Sequence, residues 1–133
     1  MRLTFLALAL LAVGAHADEV DGPTPCDNVE NDQQSLECSA YNRKTSEAEM
    51  SASYADLIDR INGQIPKGSA LSEDFKARLK TAQDLWAKSR DADCTLYTVN
   101  SAKGTRAYDI AQNDCVAQKS DERSEFLQSV GLE

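Results

Sequence analysis

Beyond its first seventeen residues this chain has no histidine; the only one, His16, falls within MRLTFLALALLAVGAHA. That absence removes histidine-based triads, imidazole general bases and imidazole metal ligands together. Serines are present, but no base accompanies them and no G-x-S-x-G elbow occurs, so serine-nucleophile chemistry is not expected. The four cysteines contain no C-x-x-C pair, which argues against a zinc cluster or a thiol redox motif. Proline is confined to positions 23, 25 and 66, and the chain shows no alternating strand pattern, internal repeat or low-complexity tract. After Val13 no apolar run is long enough to span a bilayer.

What stands at the N-terminus is Arg2, an apolar run from Leu3 to Val13, and the small residues Ala15 and Ala17 on either side of His16. This is the pattern of a secretory signal peptide over residues 1–17 with an A-x-A cleavage site; a retained interfacial anchor is the alternative. The run is too short for a membrane-spanning helix, and no cysteine lies near the cut to carry a lipid. The expectation is a soluble protein, periplasmic or secreted, with no membrane contact after cleavage.

Cleavage removes Arg2 and no acid, which leaves 13 basic residues against 22 acidic ones, a net charge of −9. Seven of the acids (Asp18, Glu19, Asp21, Asp27, Glu30, Asp32 and Glu37) precede the first remaining base, Arg43. Such a segment repels phosphate backbones, so a nucleic-acid partner is not expected. It attracts a cationic partner, or else is a solvated tail that favours solubility.

An even set of cysteines in an exported domain predicts two structural disulfides. Four cysteines allow three pairings, and the local one, Cys26 with Cys38 and Cys94 with Cys115, is the expectation. Each loop so closed is worth roughly 3 kcal/mol in the chain-entropy model.

Residues 18–31, with Gly22, Pro23, Pro25 and many acids, read as an extended lead-in, and Asn31 or Asp32 can cap a helix. From Leu36, a helical rotation gathers Leu36, Ala40, Met50, Tyr54, Leu57, Ile58, Ile61 and Ile65 into one stripe that also contains Arg43 and Glu47. This helix should end near Asn62-Gly63, closed off by Pro66. Ser72, followed by Glu73 and Asp74, suits the cap of a second helix, on which Phe75, Leu79, Ala82, Gln83, Trp86, Arg90 and Cys94 share a face. Asp91 sits at the edge of that face. After the turn NSAKGTR, a third helix from about Ala107 should carry Tyr108, Ala111, Cys115, Glu122 and Phe126 on one side, with Leu127 and Val130 nearby. The fold predicted for residues 32–133 is all-α: a small antiparallel three-helix bundle with two disulfides.

Trp86, the only tryptophan, reads as a core anchor, with a binding role as the alternative. Arg90 lies one turn further on, placed to stack on the indole and to pair with Glu47; the alternative is that Arg90 and Asp91 face outward and dock a partner. Paired acids such as Glu73/Asp74, Asp91/Asp93 and Asp121/Glu122 raise a glycosidase reading. Neighbours on a helix diverge by about 100°, however, so these acids read as caps and solvated faces. An enzyme is not expected, and no cofactor or metal is implied.

Together, Cys26, Cys38, Glu47-x-x-Met50-x-x-x-Tyr54-x-x-Leu57, Gln83-x-x-Trp86-x-x-x-Arg90-Asp91-x-x-Cys94 and Cys115-x-x-x-x-Ser120-x-x-Arg123-x-x-x-Leu127 form a pattern that resembles the LprI-type lysozyme-inhibitor family. The resemblance covers nearly all of the chain after residue 17; Glu47, Ser51 and Ser120 stand where the family often has aspartate, asparagine and threonine. It implies an exported bacterial helical domain in which Glu47, Tyr54, Gln83, Trp86, Arg90, Asp91 and Arg123 are mostly structural. It also implies, as one reading, a non-enzymatic inhibitor that binds a cationic lysozyme; the loops IPKGS and SAKGT each place a lysine beside a glycine, so Lys67 or Lys103 is the candidate to approach the enzyme's cleft carboxylates. The other reading is an envelope binding or stress-accessory domain with a peptide or small-molecule ligand.

Overall fold

The computed structural model describes residues 22–131; the expected signal peptide and Asp18–Asp21 of the lead-in lie outside the described residues. Within them are three helices, α1 (Asp32–Gln64), α2 (Ala70–Tyr97) and α3 (Arg106–Ser129), and no strand.

Each helix begins where a short polar side chain can satisfy free backbone N–H groups. The Asn31 side chain accepts from the Gln33 and Gln34 amides, and the Gln34 side chain accepts in return from the Glu30 amide at 2.7 Å, close to a capping box. Thr105 caps α3 by accepting from the Tyr108 amide. For α2 the cap is Ser69, three residues before the expected Ser72. Ser72 instead contributes its amide to that cap and turns a fully buried hydroxyl toward Asn62 Oδ1 at 3.5 Å. Nor does Gly63 end α1: the helix runs on to Gln64, and Pro66 holds Ile65 in extended backbone. The last carbonyls of α3, with no base in the helix's own last turn, are met from α1, where Arg60 donates to Leu127 O at 2.7 Å and Gln128 O at 2.9 Å.

The pairs Ser39–Asn113 and Ser53–Gln128 make α1 and α3 parallel, whereas Glu47–Arg90 and Asn62–Ser72 run α2 antiparallel to α1. Most of the packing is between α1 and α3. One end of the bundle is apolar, with Leu57, Ile61, Ile65, Leu79 and Leu127 buried and Tyr54, Phe75 and Val130 against them. Toward the other end Cys94, Cys115 and Val116 form a second cluster. Between and beside these, the buried positions of α1 are Ser39, Ser46 and Ser53, and those of α3 include Ala117, Ser120, Arg123 and Ser124. Small side chains there let the two backbones approach. The α3 face is therefore rotated from the expected one: Phe126 and Glu122 are exposed, because the helix is packed by its small residues and not by its most apolar arc.

Both expected disulfides are present, Cys26–Cys38 and Cys94–Cys115. The first ties residues before α1 back onto it; these form a turn in which Asp27 accepts from the Thr24 amide at 2.6 Å and the Thr24 hydroxyl at 2.9 Å. The second links α2 to α3 inside the bundle.

Candidate functional site

The motif residues other than Tyr54 meet in one network that joins all three helices. Arg90 on α2 reaches Glu47 Oε1 on α1 at 3.1 Å and Asp91 Oδ1 at 2.8 Å, and stacks 5.1 Å from the centre of the Trp86 ring. Glu47 also accepts from Arg43 at 3.4 Å, and Arg43 extends the chain to Asn113 on α3 at 3.3 Å. Gln83 uses its amide twice: Oε1 accepts from Arg123 Nε at 2.9 Å, and Nε2 approaches Met50 Sδ at 2.9 Å. Arg123 then lies over both Trp86 (5.5 Å) and Phe126 (4.7 Å). Desolvation pushes the pKa of this buried guanidinium down, and among the described residues its Nη2 has no hydrogen-bond partner. Trp86 is half-buried, not a core anchor: its ring is held against two guanidinium groups at the side of the bundle, where the indole remains partly in contact with water. Tyr54 packs against the apolar end and takes no part in the network.

Chemically, this network can hold three helices in register. It offers no acid and base facing a common space. Four of the paired acids of the sequence have local partners: Glu73 holds Lys76, Asp74 holds Arg78, Asp91 holds Arg90 and Glu122 holds Lys119. Among the described residues no group of three or more His, Cys, Asp or Glu is placed to hold a metal ion.

Lys67 and Lys103 are both exposed, each followed by a glycine in the left-handed region, Gly68 at φ 78° and Gly104 at φ 85°. They are not neighbours. Lys67 lies in the α1–α2 turn and Lys103 in the α2–α3 turn, so the 28 residues of α2, about 42 Å at 1.5 Å per residue, separate them.

Two surfaces were not evident from the sequence. A groove of about 590 Å³ between α1 and α3 is lined by five carboxylates, those of Glu49, Asp114, Asp121, Glu122 and Glu125. Asp114 is exposed as a residue, yet partial burial of its carboxyl raises its pKa. The helical spacing of Asp114, Asp121 and Glu125 signals one acidic face, but the chain does not tell which α1 side chains oppose it. The second surface is the end of α2, where Leu96, Tyr97 and Val99 are 71%, 60% and 78% exposed.

Against known families, the one described as lysozyme inhibitor LprI matches residues 26–127, the span from the first disulfide to the last core leucine. The chain belongs to the LprI family. A crystal structure of a DUF1311 family protein from Pseudomonas putida KT2440 is similar at 41% identity, covering 77% of this chain and 95% of that one, with a TM-score of 0.67. No curated protein matches. In this LprI-family member the motif network spans the bundle, while the acidic groove and the α2–α3 turn lie outside it. No helix among the described residues is long and apolar enough to cross a membrane.

Proposed function

We propose that this protein is an exported, non-enzymatic inhibitor of a cationic lysozyme. The observation that carries the reading is membership of the LprI lysozyme-inhibitor family over residues 26–127. Charge supports it: the chain carries −8 in full and −9 once residues 1–17 are removed, and the α1–α3 groove gathers five carboxylates. A surface of this kind raises the encounter rate with a basic enzyme. Two disulfides fit an oxidising compartment outside the cytoplasm, periplasmic or secreted. Residues 18–31 act in this reading as an acidic lead-in, and residues 32–133 as the binding domain.

The test is lysis of cell-wall substrate by c-type and g-type lysozymes with the mature protein added, together with association and dissociation rates across a salt series. Inhibition is expected, with association slowing as the Debye length shrinks from about 10 Å to 3 Å and dissociation changing less. Absence of binding at low salt, where attraction is strongest, overturns the proposal for that enzyme class. The groove then favours a second reading, an envelope accessory domain that takes a cationic peptide between α1 and α3.

A further inference from the structure

We infer that the α2–α3 turn, carrying Tyr97, Val99 and Lys103, is the segment that enters the lysozyme's substrate cleft, and that the Lys67 turn is not. The inference rests on the inhibitor reading above and assigns the contact within it.

Acidic surface alone steers an enzyme without blocking it; occlusion needs a projecting, shaped element whose charge suits the cleft. Residues 94–108 contain no acid, although the chain as a whole has 22 acidic residues, and they include Lys103 and Arg106. The turn is thus a local basic island, complementary to the pair of carboxyl groups that glycoside hydrolysis requires. Leu96, Tyr97 and Val99, within seven residues of Lys103 in the chain, are exposed apolar side chains that none of the described helices covers. Sugar-binding clefts are lined largely by apolar and aromatic groups, so the same surface fits the cleft wall.

The turn is also organised before binding. Thr98 is buried between the exposed residues and donates its hydroxyl to Thr95 O at 2.9 Å, and Ser101 N donates to Thr98 O at 2.9 Å. Thr105 closes the turn on Ala102 O with its amide (3.1 Å) and its hydroxyl (2.7 Å). The Cys94–Cys115 disulfide clamps its base. A turn held in this way loses little conformational entropy on binding. In the Lys67 turn, by contrast, Ile65 is turned into the core and Leu71 is the single large apolar side chain exposed nearby, against three before Lys103. The two turns are at opposite ends of α2, so one cleft cannot receive both.

The experiment compares the mature wild-type protein, Tyr97→Ser/Val99→Ser, Lys103→Glu and Lys67→Glu for inhibition of a cationic c-type lysozyme, with melting temperature and sedimentation measured on each. All the altered side chains are exposed, so near-wild-type melting is expected. The double variant and Lys103→Glu should each raise the inhibition constant by about tenfold or more, and Lys67→Glu by less than about twofold. Wild-type inhibition that survives both turn variants, or that Lys67→Glu abolishes, overturns the assignment and leaves the inhibitor reading standing. A wild-type protein that inhibits neither c-type nor g-type enzyme removes both. A dimer that dissociates in Tyr97→Ser/Val99→Ser, with inhibition unaltered, assigns the surface to a second copy of this chain and equally overturns the inference.

Discussion

Arg90 holds Glu47 and Asp91 at once while its plane covers Trp86, and its side chain is only 13% exposed. Glu47 is 34% exposed and has Arg43 as a second partner, so its charge is less dependent on Arg90 than a sealed pair would be. Arg90→Met should therefore cost about 1–3 kcal/mol, below the 3–5 kcal/mol seen when a fully buried pair loses one member. A double-mutant cycle with Glu47→Gln should return a coupling of about 1–2 kcal/mol by denaturant unfolding; additive effects would mean that the two side chains act separately. Asp114 is the residue with a pH signature. Its pKa is raised in the folded state by desolvation, so the folded protein holds that proton more tightly than the unfolded chain. The associated stability is present below the unfolded aspartate value of about 3.9 and lost as pH rises through the folded value. Asp114→Asn should accordingly melt higher than wild type at pH 7, with the difference vanishing in melts run at progressively lower pH.

At the scale of elements, the seam between α1 and α3 is built from hydroxyl and small side chains where a bundle usually has leucine. Ser120 is fully buried, and among the described residues neither its hydroxyl nor the buried hydroxyl of Ser124 has a hydrogen-bond partner. Removing an unsatisfied buried group relieves its desolvation cost. Ser120→Ala should therefore be neutral or stabilising by up to about 1 kcal/mol. Ser46→Leu, placed in the same seam, should destabilise by about 1–3 kcal/mol, because the backbones cannot separate without breaking the Ser39–Asn113 and Ser53–Gln128 contacts. Thermal melts of the two variants decide it: equal losses would show that the seam senses the hydroxyl and not the volume.

For the molecule as a whole, two small apolar clusters and a polar seam make a modest core, and the disulfides supplement it unequally. By loop length alone each crosslink is worth roughly 3 kcal/mol. Location separates them. Cys94–Cys115 is buried and binds α2 to the α1–α3 pair, against which α2 otherwise packs sparsely, whereas Cys26–Cys38 holds only the residues before α1. Replacing Cys94 and Cys115 by serine should abolish the cooperative transition or lower stability by more than about 3 kcal/mol. The matching change at Cys26 and Cys38 should leave helix content by circular dichroism near wild type, with added proteolysis confined to residues before Asp32. Equal sensitivity of the two variants would contradict this division.

The three helices and their order were legible in the chain, because caps, turn glycines and Pro66 act within a few residues of one another; the local disulfide pairing was one of three that four cysteines allow, and the packing of the helices selects it. So was the Arg90–Glu47 contact, since two charges in otherwise apolar stripes need each other. The buried arc of α3 was not, because serine and alanine carry almost no hydropathic signal and are buried only by the shape of the facing helix. The same holds for the α2 cap: Ser69 and Ser72 are equally good caps locally, and contact of Ser72 with Asn62 selects between them. Trp86 read as core from its own helix, and only the arrival of Arg123 from α3 left it at the side of the bundle. Charge by itself determined the sign of the protein's field, which is negative in sum and most strongly so before Arg43. Tertiary structure decided which carboxylates share a groove and which apolar side chains near Lys103 stay uncovered, because both depend on how the helices pack, which neighbouring residues in the chain do not encode.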